Sequence, residues 1–134
     1  AWSLGNYPNS PVLQPLISSL HGDVAAVRLW ASSSLAEIGS NSRENAKEAA
    51  AELLISLSID VEAGVRSNCI WSLGRLYDHL EEDLQDQMVD QIITVLLNDT
   101  EPSVRYEARI TLEQIENPQV QERFRRLIVE GHLI

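Results

Sequence analysis

Val65-Arg66-Ser67-Asn68-Cys69-Ile70-Trp71-Ser72-Leu73-Gly74-Arg75-Leu76 decides the fold, because its skeleton occurs three times in the chain. Val27-Arg28, Val65-Arg66 and Val104-Arg105 follow one another at intervals of 38 and 39 residues (28 to 66, 66 to 105). Three residues after each Arg comes a small residue: Ala31, Cys69, Ala108. Seven after come Leu35, Leu73 and Leu112, and ten after come Ile38, Leu76 and Ile115. Spacings of three, seven and ten put these side chains on one side of a helix. A period of this length marks a repeat architecture in which each unit is one helix pair. The expected fold is therefore all-α: an α-solenoid of antiparallel helix pairs, each with a first helix (A) and a second helix (B) carrying the Val-Arg phrase.

Working outward, the first B-helix is expected over 24–38, closed by Gly39. The second A-helix is expected over 43–59, opened by Asn41-Ser42, and the second B-helix over 63–79. The third A-helix covers 82–97, with Leu84, Met88, Ile92 and Leu96 on one stripe. Pro102 suits the first turn of the third B-helix, which runs to 116. Asn117-Pro118 opens a last helix with Val120, Phe124, Leu127 and Ile128 inward. Towards the start, Ser10-Pro11 reads as a cap followed by a first-turn proline. Pro15 lies deeper and predicts a kink or a delayed start. Ala1-Trp2-Ser3-Leu4-Gly5 matches Ile70-Trp71-Ser72-Leu73-Gly74, so the chain opens inside a B-helix. The expected organisation is one unit over 1–134: a truncated B-helix at 1–8, full repeats at 11–39, 42–79 and 82–116, and a terminal helix at 118–131. That pattern is expected of a fragment of a longer chain.

These residues resemble HEAT repeats, of the armadillo-type superhelical class. More narrowly they are similar to the short HEAT-like repeats named from phycobilisome lyases. The resemblance is carried by an acidic turn followed by Val-Arg, a small residue and Leu, as in Asp60 to Arg66 and Asp99 to Arg105; Asp23 departs, lying five before Arg28 rather than six. One physical role follows from the pattern itself. Arg28, Arg66 and Arg105, each a planar fork, can reach the acidic turn of a neighbouring repeat, and with Asp23, Asp60 and Asp99 they form a ladder. An anion-binding row is the alternative role for the same arginines.

Function is expected on the outer face of the B-helices, which line the concave side of such stacks. Positions one, five and eight after each Arg fall there and include Leu29, Trp71, Tyr106 and Ile110, with Trp2 by its match to Trp71. Arg75 and Arg109 flank them. Aromatics are only 5% of the chain, so several on one face are informative; Trp and Tyr are favoured interface anchors. Trp30, by contrast, is expected to fill a gap between repeats. The expectation is a non-catalytic scaffold or adaptor that binds a protein partner. The resemblance implies an alternative, a subunit of the phycobilin lyase type that handles an open-chain tetrapyrrole (a bilin). A further alternative is a repeat segment of a larger regulatory protein.

Composition narrows the classes. The chain has 20 acidic against 10 basic residues, a formal charge of −10, which argues against nucleic acid and anionic lipid, both of which need Lys and Arg. Cys69 is the only cysteine, at a core position, and suits a reducing compartment; the expected location is cytoplasmic. The acids Glu81, Glu82, Asp83, Asp86 and Asp90 read as a solvated face. His21, His79 and His132 share no motif, so no cofactor, metal or catalytic residue is expected. Deoxyhypusine hydroxylase has this repeat type and places His-Glu pairs early in its B-helices. Leu29-Trp30, Ser67-Asn68 and Tyr106-Glu107 stand there instead, so its activity is not implied.

Overall fold

A computed structural model describes residues 12–131. All regular structure among them is helical: α1 (Leu13–Leu20), α2 (Ala25–Gly39), α3 (Arg43–Ile59), α4 (Ala63–Leu76), α5 (Glu82–Asn98), α6 (Pro102–Gln114) and α7 (Pro118–Val129). A short 3-10 turn, Tyr77–His79, ends α4, which the sequence had run on to 79 as one helix. The expected truncated helix at 1–8, with Trp2, and the Ser10-Pro11 cap lie outside the described residues.

Local chemistry sets the helix ends. Pro15 is the third residue of α1. Backbone N–H groups in a first turn have no acceptor within the helix, so the proline removes nothing, and α1 starts late instead of kinking. Ser42 Oγ accepts the N–H of Asn45 at 3.0 Å and caps α3. Asn117 does the same for α7 through Gln119 N–H, at 2.9 Å. Asp60 and Asp99 each accept an N–H two residues on, from Glu62 (2.9 Å) and Glu101 (3.0 Å). Their side chains thereby fix the turns that lead into α4 and α6.

Consecutive helices pack in pairs, and α2, α4 and α6 form a second line of contacts along which α2 meets α4 and α4 meets α6. The first helices α1, α3 and α5 touch one another far less. Ala31, Cys69 and Ala108, with Leu35, Leu73 and Leu112, are fully buried. Close approach depends on missing side chains. A Cβ on Gly74 would lie 2.7 Å from Thr111 Cγ2, so α6 presses directly on the α4 backbone. Ser72 Oγ donates to the Ser32 carbonyl and Asn68 Nδ2 to the Leu29 carbonyl (3.0 Å), tying α4 to α2.

Gly39 ends α2, as expected, but without a left-handed conformation; among the described residues only Gly131 has positive φ. Gly39 is buried within the helix, and an added Cβ would sit 2.9 Å from Leu76 Cδ2 and 3.2 Å from Ala49 Cβ. Its job is clearance. Two expectations are corrected here. Val27 is exposed where Val65 and Val104 are buried. Ile128 is likewise exposed, while Val120 and Phe124 are buried in the core. Polar contacts also seat α7. The two N–H groups of Gln121 Nε2 are shared among the carbonyls of Leu112, Glu113 and Ile115 at the end of α6 (3.0, 3.3 and 2.6 Å), and Arg123 pairs with Asp90 at 2.8 Å.

Candidate functional site

The arginines of the repeated phrase are occupied by structure. Arg28 Nε and Nη2 donate to the Asp60 carboxylate at 2.9 and 3.4 Å, while Nη1 donates to the Gly22 and Asp23 carbonyls at 3.1 Å each. Arg66 repeats the arrangement one unit on, with Nε and Nη2 on Asp99 (2.9 and 3.1 Å) and Nη1 on the Asp60 carbonyl (3.0 Å). Each arginine thus grips the backbone of the turn before it and the carboxylate of the turn after it. Asp23 corrects the expected ladder: it takes part through its carbonyl, and its carboxylate accepts none of these bonds. Arg105 donates to the Asp99 carbonyl at 2.6 Å and has no carboxylate within ion-pair distance among the described residues.

The electrostatics follow the geometry. Burial opposes ionisation of Asp99, but hydrogen bonds from Arg66 and the Glu101 N–H, with the nearby charges of Arg66 and Arg105, outweigh it and hold its pKa below the ordinary carboxylate value. The hydrogen bond to Asp60 drives the Arg28 pKa up. Arg28 and Arg66, spent on these bonds, have little left to offer a ligand anion.

The outer B-helix face carries the expected apolar side chains in graded exposure. Tyr106 is 66% exposed, Trp71 and Leu29 are each 42% exposed, and Ile110 is half-buried. Leu29 also packs on its neighbour, since its Cδ1 would lie 3.2 Å from a Cβ on Gly64 in the first turn of α4. Arg75 lays its guanidinium over the Trp71 ring, 5.2 Å from the centroid. Exposed Arg109 pairs with Glu113 along α6 at 3.2 Å.

Two residues fall elsewhere than expected. Trp30 fills no gap; it is 57% exposed and joins the apolar side chains displayed by α2. Ala36, eight after its Arg, is buried. The open face of α2 is therefore rotated towards positions one and two after the Arg. Chain spacing alone carries no signal of that rotation, which depends on how closely α4 packs against α2.

Cys69 is completely buried, and desolvation, with a smaller contribution from the Asp60 charge, pushes its thiol up to about 12. A thiol in that state is a poor nucleophile. Among the described residues no cluster of three His, Cys, Asp or Glu side chains could hold a metal ion. None of the described helices is long and apolar enough to cross a membrane. The surface acids of α5 are exposed along its length. No protein-family model matches the chain, and no curated protein is significantly similar to it.

Proposed function

We propose that the chain is a HEAT-like α-solenoid acting as a non-catalytic protein-binding module, with a partner held along the outer face of α2, α4 and α6. The observation that carries this reading is the display of Trp71, Tyr106, Leu29 and Trp30 on that row of helices in a chain otherwise poor in aromatics. Exposed apolar groups bordered by polar ones mark interaction sites. The row is also the more tightly packed of the two. A stack whose helices lie closer on one side curves towards that side, which favours a concave setting for these residues. Rigid aromatic anchors on a preformed wall supply affinity with little ordering cost.

The test is Trp71→Ala. A core tryptophan cut to alanine costs ~3–5 kcal/mol; a residue this exposed should cost well under half of that. A partner recovered from source extract on the immobilised wild type should bind the variant more than about 30-fold more weakly, the loss of ~2 kcal/mol expected of a hot spot. Unfolding of the variant, or unchanged affinity, would remove Trp71 from the binding surface. The tetrapyrrole reading draws on the same Trp71 and Arg75. Arg75 lies over one face of the Trp71 ring, and no further observation supports this second reading. An unchanged bilin absorption spectrum at high protein concentration would dispose of it.

A further inference from the structure

Between the C-terminal ends of α4 and α6 lies a groove of about 510 Å³, walled by Trp71, Arg75, Asp78, Gln114 and Glu116, with Gly74 in its lining. At Gly74 the two helices meet closely, since a Cβ there would lie 2.7 Å from Thr111 Cγ2. Its charges are unevenly satisfied. Some surface carboxylates, Asp90, Glu113 and Glu122, have an arginine partner, at 2.8, 3.2 and 2.7 Å, while others, such as Glu82, Asp83 and Asp86 on α5, have none among the described residues. Asp78 and Glu116 are exposed carboxylates with no cation within ion-pair distance among the described residues. The one cation in the groove wall, Arg75, is drawn against the Trp71 ring. The C-terminal ends of α4 and α6 frame the opening. The whole chain, at −10, attracts positive partners.

Resting on the protein-binding reading above, we propose that this groove receives a lysine or arginine side chain of the partner, its charge between Asp78 and Glu116, while an adjacent apolar residue of the partner lies on Trp71. The two contacts divide the work: the aromatic ring supplies desolvated area, and the carboxylates select sign and register.

A random-peptide display library panned against the wild-type protein tests this. Peptides should be enriched in which a basic residue adjoins a large apolar one. Their dissociation constants, read by fluorescence polarisation, should rise at least tenfold in the Asp78→Asn/Glu116→Gln variant, with a shallower dependence on salt, and at least tenfold in Trp71→Ala. Both carboxylates are exposed and unpaired, so the double variant should keep the wild-type circular dichroism spectrum and melting temperature. Peptides that need Trp71 but ignore the loss of both charges, or that lack basic residues, overturn the inference and leave the protein-binding reading standing. Enriched peptides indifferent to Trp71→Ala, or no enrichment at all, overturn both.

Discussion

Replacing Gly74 by alanine offers a direct measurement of how closely α4 and α6 are pressed together. The new Cβ would stand 2.7 Å from Thr111 Cγ2, with the other Thr111 atoms no nearer than 3.8 Å. Carbon atoms rest at ~3.5–4.0 Å, so the pair falls short by about 1 Å. Overpacking of this kind costs ~1–3 kcal/mol. Alanine also removes the conformational entropy penalty of a glycine inside a helix, a gain of ~1 kcal/mol. Gly74→Ala alone should therefore be neutral to destabilising by ~2 kcal/mol. In a Thr111→Ala background the offending methyl is gone, and the same change should stabilise by ~1 kcal/mol. The double-mutant cycle isolates a coupling of ~1–3 kcal/mol whatever Thr111→Ala costs on its own. Urea denaturation of the four proteins, with a common m-value, supplies the numbers. A coupling below ~0.5 kcal/mol would mean that the two helices do not meet as described, and the argument for a close-packed second row would fail with it.

Other outcomes follow from single features. Asn45 is buried in α3 with neither its Nδ2 nor its Oδ1 hydrogen-bonded, and the corresponding place in α5, 39 residues on, holds Leu84; Asn45→Leu should raise stability by ~1–3 kcal/mol in thermal or urea unfolding, and a loss would show that the amide has a structural use. Asp99 has a folded-state pKa below its unfolded value of ~3.9. Its contribution is thus complete above that value and is lost as pH falls through the folded pKa. Asp99→Asn should cost ~1–2 kcal/mol at pH 7, discounted for partial exposure, and progressively less as pH falls through the folded-state pKa; a difference that stays constant with pH would refute the ion-pair account. Cys69 should react with a thiol reagent at pH 8 only at the rate of global opening, and rapid labelling of the native protein would contradict its burial.

What the sequence made legible was whatever repeats. Ala31, Cys69 and Ala108, with their leucines four residues later, announce a helix face by spacing alone, and all six are buried. The reach of Arg28 and Arg66 to a neighbouring turn was also readable, because a planar fork beside a recurrent Asp has few other uses. The direction of that reach was not. Whether the arginine meets the aspartate before it or after it depends on how far the turns are displaced between units, a tertiary quantity. The same holds for Gly39, whose place near a helix end suggested a cap while its real constraint is the Leu76 side chain of α4. Trp30 and Ala36 were misplaced because a constant 100° per residue says nothing about which edge of α2 its neighbour covers. Gln121, which holds three carbonyls, has no sequence signature of its own.

The contrast between the two rows also bears on mechanics. Along α2, α4 and α6 the chain is a spine, stitched by the Ser72 and Asn68 bonds and by bare backbone at Gly74. Along α1, α3 and α5 the helices stand like pleats that touch one another far less. A load applied to such a body should open the pleats before it stretches the spine, and the spacing of the side chains along the spine should then hold while the other row spreads. Under the binding role proposed above, elastic adjustment of that sort would let one ruler of aromatic side chains fit partners of different girth.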